Sequence, residues 1–473
     1  MVMFLSGLVI LLVGYLLYGR LVEKVVGMDA TRATPAVTDR DGVDYVVMPH
    51  WKNMMIQLLN IAGVGPVIGV ILGVKFGAIV FLIIPVGNII GGAVHDFVAG
   101  MMSLRDHGAN LPSLMKKCNG SVIAAIFSAF MTGLLLLVVA VFINIPAQLL
   151  SNMISGDQSF FWPMVLVIFA YYIAATLFPV DKIIGRIYPF FGAILILSAL
   201  AILGVLVWQG AQDPAMLAES AAFKAAKFKD PIIPMLFVTI ACGILSGFHA
   251  TQSPIIARTI TSERQGRQAF YGMMVVEGVI AMIWAAGALA IYNRMPETLA
   301  LAPAVVLKYI TETFLGRWIG AFTVFGVVVL AITSGDTAIR SLRLSLAEMC
   351  SIQQKSLKNR VLLCLPLIAA VSGLLIWSNT SAKTFGYLWN YFAWANQVLG
   401  ASMLLAAIVW LKRQKKPLGV ALVPGAFMTF IVIAFLLYHP KLGCGMDLNY
   451  SYLLAGGLTF VILMETLHQP EEH

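Results

Sequence analysis

The chain has 473 residues; 60% are hydrophobic, 11% are charged and the mean hydropathy is +0.90. That composition excludes a soluble domain and indicates an all-α polytopic membrane protein, in which the bilayer sets the length of each element. The formal charge of +9 does not signal nucleic acid, because the positive residues fall in short loops between apolar runs, where topology places them.

Apolar windows bounded by charged or Gly/Pro-rich ends predict about 13 crossings of roughly 20 residues each. Span 0 covers residues 1–18 and lacks the basic start and A-x-A site of a signal peptide, so it is read as a retained span. Residues 19–50 form a polar connector carrying Asp41-Gly42-Val43-Asp44-Tyr45. Spans 1 to 5 are placed at 51–74, 76–104, 121–150, 161–178 (ended by Pro179) and 188–208. A polar loop, 209–230, precedes spans 6 to 10 at 231–262, 268–292, 317–349, 359–377 and 385–411. Spans 11 and 12 are placed at 418–438 and 450–467, before a short tail ending Pro470-Glu471-Glu472-His473. With the N-terminus outside and the C-terminus cytoplasmic, most lysines and arginines lie inside, Lys182 among them. The exception is the loop 209–230, whose Lys224, Lys227 and Lys229 face outward.

Two spans are interrupted by residues that weaken helices. Span 1 contains Gly63-Val64-Gly65-Pro66, where glycine adds backbone freedom and proline removes a donor. Span 6 contains Ser246-Gly247-Phe248-His249-Ala250-Thr251-Gln252-Ser253-Pro254 and is predicted to break near Phe248–Pro254. Backbone freed in hydrocarbon is tolerated only where protein or a water-filled cavity satisfies it, and paired interruptions in two halves point to a secondary transporter's substrate site. Five spans per half make the second half enter from the opposite side. The chain then reads as a LeuT-like five-plus-five inverted repeat: 1–50 as first span and connector, 51–208 and 231–411 as the repeats, and 412–473 as two accessory spans. The half-helix starting at Pro254 is expected to aim a positive dipole end at the cavity, which suits a carboxylate.

Ionisable residues inside a membrane are costly and mark function by default. His95 and Asp96 in span 2 read either as a proton or cation site or as a structural pair with Arg105 or Arg340. His249 is the strongest single candidate, because histidine titrates near neutral pH; the alternative is a core histidine satisfied by a carbonyl, which would not require the hydrogen-bonding neighbours Ser246, Thr251, Gln252 and Ser253. Glu277 is central in span 7 and reads as a coupling carboxylate or a structural hydrogen-bond partner. In span 8, Thr333, Ser334 and Asp336 offer hard oxygen ligands that suit sodium, and Asp336 alone suits a proton; Arg340 could instead neutralise it. In span 10, Trp389, Asn390, Trp394, Asn396 and Gln397 read as site residues, or else the two tryptophans as an interfacial belt and the amides as helix–helix glue; the lone amides Asn60, Asn88 and Asn144 read as glue. The substrate-binding set is therefore Gly63, Gly65, Pro66, Ser246, Phe248, His249, Gln252, Ser253, Asn396 and Gln397. The coupling set is His95, Asp96, Glu277, Thr333, Ser334 and Asp336. There is no phosphate loop, no H-E-x-x-H and no G-x-S-x-G, so neither an ATP-driven pump nor an enzyme is indicated. No cofactor is expected beyond a coupling proton or sodium ion.

These residues carry a family resemblance. Thr34-Pro35-Ala36, Asp41-Gly42-Val43-Asp44-Tyr45, Ile61-Ala62-Gly63-Val64-Gly65-Pro66 and His95-Asp96-Phe97 come in one order. Thr239-Ile240-Ala241-Cys242-Gly243, Ser246-Gly247-Phe248-His249-Ala250, Glu277, Asp336 with Arg340, and Ala395-Asn396-Gln397 follow. The chain resembles the carbon starvation protein A (CstA) family of bacterial inner-membrane transporters over most of residues 20–411. The resemblance implies ion-coupled uptake of peptides, or of pyruvate in some members, on a LeuT-like core. The chain departs from the pattern in lacking long inserts and in having Pro254-Ile255-Ile256-Ala257-Arg258 where a lysine is expected. The rivals are a channel, disfavoured by apolar residues around both breaks, and a nutrient sensor. The expected partners are a small-molecule substrate and the lipid bilayer; the oligomeric state is left open.

Overall fold

The outer surface of the molecule is apolar and its interior holds the polar groups. In the computed structural model, which describes residues 1–178, 184–301 and 303–469, Leu12, Trp208, Trp318, Leu362 and Phe460 are exposed, whereas Gln57, Asp96, His249 and Glu277 are buried. A lipid solvent demands this pattern, because apolar side chains cost nothing there and every polar group must be met from within. Pro179, Lys182 and the tail 470–473 lie outside the described residues.

Every element among the described residues is helical. Among the described residues, ten helices are long and apolar enough to cross a membrane, and the bent pair His50–Ile61 and Gly65–Phe76 makes an eleventh. Phe161–Leu177 is apolar but has only 17 residues, and the segment 232–257 is too interrupted for the same test. The protein is thus a multi-pass membrane protein.

The two halves share local devices. Span 3 lies in the helix Leu111–Ser155 and span 8 in Pro303–Met349, and each is kinked off a short lead-in by a glycine in the left-handed region, Gly120 (φ 82°) and Gly316 (φ 72°). Only glycine takes that conformation without strain. Both are the residues immediately before the expected starts of those spans. The long helices pack along each other. Spans 2 and 7 each carry a π-turn, Asn88–Gly92 and Arg267–Gly272. Span 11, now Gly419–Tyr438, packs on Ala382–Arg413 and on span 12, Leu448–His468, which itself touches Ala382–Arg413.

Candidate substrate and ion site

The first break forms where the sequence weakens the helix. His50–Ile61 stops at Ala62 (ψ 59°), and the chain resumes as a π-turn over Gly65–Gly69 at 53° to the first piece. The second break is not at Phe248–Pro254. Leu245 (φ −169°, ψ 127°) and Ser246 (φ −134°, ψ 121°) are extended, and Gly247–Ala257 is helical with Pro254 inside it. The positive half-helix end therefore sits at Gly247–His249 and not at Pro254. The reason is distant in sequence. Asn396 in span 10 accepts from the freed Phe248 N–H at 2.7 Å through Oδ1 and donates to the Ser246 hydroxyl at 2.9 Å, and Gln397 donates to the Leu245 carbonyl at 2.9 Å. Asn396 and Gln397, expected as substrate ligands, thus satisfy broken backbone.

The two breaks meet. A Cβ on Gly65 would stand 2.3 Å from Cys242 Cβ, and one on Gly63 would stand 2.9 Å from Ser334 Oγ and 3.1 Å from Phe142. The close crossing is possible only because these positions carry no side chain. Phe142 of span 3 closes the junction, its ring edge-on to Phe248 and 5.9 Å from it. Pro66 is buried in the same turn.

Behind the second break lies a buried chain of titratable groups. His95 Nδ1 is 2.8 Å from Asp96 Oδ1, Asp96 Oδ2 is 3.0 Å from His249 Nδ1, and His249 Nε2 is 3.7 Å from Glu277 Oε2. All four side chains are at most 1% exposed. Span 2, span 6 and span 7 each contribute, so the chain ties three helices together. Asp96 is not paired as expected in the structural reading: Arg105 holds Glu263 at 2.9 Å and Arg340 holds Asp44 at 2.7 Å. Both Glu277 oxygens, His249 Nε2 and His95 Nε2 make no hydrogen bond. Gln252 donates to Thr251 and leaves its oxygen unbonded, while Ser253 donates back to the His249 carbonyl at 3.1 Å.

The span 8 cluster divides. Thr333 and Ser334 hydroxyls both donate to the Leu59 carbonyl, at 3.2 and 3.1 Å, which places them on the first break as expected. Asp336 instead accepts from Tyr171 of span 4 at 2.6 Å. Of the span 10 aromatics and amides, Trp389 and Asn390 line a cavity of about 290 Å³ with Ile68, Leu72 and Asn152.

The two ends of the junction differ. At one face Asp44, from the connector, reaches Arg340 and, at 3.4 Å, Arg343. Arg340 also donates to the Ala175 and Phe178 carbonyls and Arg360 to Leu177, so the final carbonyls of span 4 are capped by span 8 and 9 arginines. Burial pushes the Asp44 carboxyl up, but the Arg343 and Arg340 guanidiniums outweigh it and hold the group at about 2. Beside it Arg258 pairs with Glu348 at 2.9 Å. At the other face the loop 209–230 folds over span 1: Phe228 donates to the Lys75 carbonyl, and Glu219 accepts from Ala78 N–H and pairs with Lys227, each at 2.8 Å. Lys75 is buried and donates to Leu299.

Sequence reasoning missed Phe142, Tyr171 and Gln57. Gln57 was legible as the middle of an Asn53, Gln57, Asn60 stripe; the other two look like ordinary apolar-span aromatics.

Comparison with known proteins identifies the family and the fold. The family model described as carbon starvation protein CstA matches residues 1–176, 162–308 and 289–434. An uncharacterized membrane protein of Haemophilus influenzae is 40% identical over 346 residues, covering 63% of this chain and 93% of its own. The peptide transporter CstA of Campylobacter jejuni is 26% identical, covering 59% and 48%, and the pyruvate/proton symporter BtsT of Escherichia coli is 27% identical, covering 58% and 46%. The matched region spans about half the length of each of these two. The crystal structure of MhsT in complex with L-phenylalanine superposes with a TM-score of 0.56 at 12% identity, covering 89% of this chain and 99% of that one. That likeness shows the fold, which is LeuT-like.

Proposed function

The chain belongs to the carbon starvation protein CstA family of transporters, and from that premise we propose that it imports a small peptide, or a short carboxylate such as pyruvate, by ion-coupled alternating access. The membrane is the bacterial inner membrane, with the N-terminus outside and the C-terminus cytoplasmic, the orientation that puts most of the lysines and arginines inside. The face bearing Asp44 is then the cytoplasmic one.

The observation that carries this reading is the junction of the two breaks, with a buried titratable chain against it. An interrupted helix exposes backbone groups that a solute can use, and its half-helix ends present opposite partial charges to that solute. The Gly247 helix start supplies the positive end for a carboxylate. Asp96 sits between two imidazoles, so a proton taken by either histidine forms an ion pair with it at no distance cost. Glu277 then faces the histidine that changes charge. A cation moving inward gains about 2.3 kcal/mol per 100 mV, which is the driving force available for accumulation.

Sodium is the second reading, favoured by one observation: Thr333, Ser334 and the Leu59 carbonyl converge on the first break. Both hydroxyls are spent on Leu59 in this structure, whereas His249 Nε2 and Glu277 make no hydrogen bond. The proton is therefore the favoured coupling ion, carried on His95, Asp96, His249 and Glu277. Uptake into proteoliposomes under an imposed proton gradient, and separately a sodium gradient, tests this. Accumulation driven by protons alone supports the reading. Uptake that ignores both gradients ends ion coupling, and non-saturating flux without counterflow indicates a channel.

A further inference from the structure

Far from the junction, Leu111–Ser155 and Leu448–His468 both pack on the span 10 helix Ala382–Arg413. At the face that the orientation proposed above makes cytoplasmic, these three helices border a cavity of about 490 Å³. Its wall carries Lys116 and Lys117 from the lead-in of span 3, Arg413 from the end of span 10 and Gln469 just past span 12. Among the described residues that wall holds no acid. Lys116 is exposed and has no acidic partner among the described residues. Lys117 pairs with Asp106, and Arg413 donates to the Lys117 carbonyl. Lys412 donates to the Leu467 and Gln469 carbonyls, so span 10 ties the other two elements together at the mouth.

A second hollow, of about 290 Å³, continues from the first. Gln469 lines both, and the neighbours Cys118 and Asn119 line one each. Its walls are Ile123 and Phe127 of span 3, Leu405 of span 10, and Val461 and Ile462 of span 12. Ile123 and Val461 are exposed, so this groove opens sideways to lipid. The kink at Gly120 divides the two hollows in sequence: the lysines come just before it and the apolar wall just after it. Asn119, at the neck, keeps a buried side-chain oxygen without a hydrogen bond. Membrane topology asks for positive charge on this side, but it asks for neither a hollow between the charges nor a groove leading from it.

We infer that spans 3, 10 and 12 hold one anionic phospholipid of the adjoining leaflet. Its phosphate sits among Lys116, Lys117 and Arg413, its ester-linked glycerol lies at Asn119, and an acyl chain runs along the groove. Basic pockets between membrane helices suit such headgroups, and the apolar groove suits only a ligand that carries a chain. A free phosphate would use the first hollow alone. A zwitterionic lipid would bring its ammonium group among the bases. Glu465 also borders the groove, and the excess of bases at the mouth sets the preference for a net negative head.

The test is retention of radiolabelled phosphatidylglycerol by the full chain, delipidated and held in detergent at one pH and ionic strength. The competitors are unlabelled phosphatidylglycerol, phosphatidylethanolamine with the same chains, and inorganic phosphate. Phosphatidylglycerol is expected to compete about 10-fold better than phosphatidylethanolamine, and inorganic phosphate not to compete. Lys116→Ala should weaken retention about 5-fold, and Lys116→Glu about 10-fold or more. Val461→Trp, which fills the groove, should weaken it about 3-fold or more. Lys229→Ala, in the loop 209–230 at the other face, should leave it unchanged. Equal competition by the two lipids overturns the inference, as does Lys116→Glu binding as the unaltered chain does. Displacement by inorganic phosphate as effective as by the lipid makes this a free-anion site and overturns it too. The lipid series needs no substitution, so a variant that fails to fold leaves the idea open to refutation. None of these readouts measures uptake: their failure leaves the transporter reading standing, and an absence of driven uptake leaves the lipid site standing.

Discussion

Two regions of the molecule treat buried polar groups in opposite ways. At the Asp44 face every acidic group in the cluster is matched: Asp44 by Arg340 and Arg343, Glu348 by Arg258, and Glu263 by Arg105 and Arg32. At the junction of the breaks, a few turns away, Gln57, Asn60, Gln252 and Glu277 all carry unmet atoms. Asp44, Arg340 and Arg343 are as buried as the junction, so solvent does not account for the difference between those two sets. The acidic groups of the first are matched within the chain like a closed latch, and the second keeps polar atoms unmet, which suits the substrate site proposed above. A carrier working by alternating access needs both, because the latch must be broken by something gained at the site.

This contrast can be broken from either side. The largest effect is expected at the titratable chain. Asp96→Asn keeps the shape of the side chain but removes the charge between His95 and His249, and gradient-driven accumulation in proteoliposomes should fall about 100-fold or more, the scale of a lost proton-transfer group. Counterflow, which needs no net proton movement, should survive. Accumulation at the original level would remove Asp96 from the coupling path.

Next is the latch. Arg340→Ala leaves Asp44 buried with a weaker partner at 3.4 Å and uncaps the end of span 4. Breaking a buried pair from one side costs about 3–5 kcal/mol, and a thermal melt in detergent should show it. A variant as stable as the parent would mean that the face opens readily and is no latch. Gly65→Ala comes third. Its methyl would lie 2.3 Å from Cys242 Cβ, so the breaks must separate, at a cost of about 1–3 kcal/mol. The paired change with Cys242→Gly should recover much of that loss.

Asn396→Ala is expected to cost about 1–3 kcal/mol by leaving the Phe248 N–H unmet, with little effect on substrate affinity. A large loss of affinity in the folded variant would return Asn396 to the binding set. The smallest effect is a pH dependence. Asp44 sits at about 2, below the ordinary carboxylate value of 3.8, so its stabilisation is complete above 3.8 and is lost as the pH falls from there toward 2. The loss amounts to about 2 kcal/mol and should vanish in Asp44→Asn, as stability measured across an acid series would show.

How much of this was legible in the sequence depends on how local the cause is. The first break was, because Gly63, Gly65 and Pro66 act on their own backbone. The kinks at Gly120 and Gly316 fall one residue before the starts that the apolar windows gave spans 3 and 8. The second break was misplaced because its cause is 150 residues away: Asn396 and Gln397 hold Leu245 and Ser246 extended, while Pro254 is accommodated within the helix. Asp96 was singled out as an ionisable residue in the last third of an apolar span, but its partner His249 comes from another half of the chain, and no spacing rule connects them. Asp44 looked like a connector residue, since nothing in a polar loop reveals that one carboxylate turns inward to meet span 8. Gln57 was passed over because a single amide reads as glue, and only its stripe with Asn53 and Asn60 shows a shared face.

The central claim is that a solute bound at the junction is driven inward by proton entry through Asp96 and His249. Alanylalanine uptake into proteoliposomes, compared between an inward proton gradient and the same gradient collapsed by a protonophore, tests it most directly. The account predicts accumulation above equilibrium that collapses with the gradient and is absent in Asp96→Asn, where counterflow persists. Equal accumulation with the gradient collapsed, or undiminished driven uptake in Asp96→Asn, would contradict it.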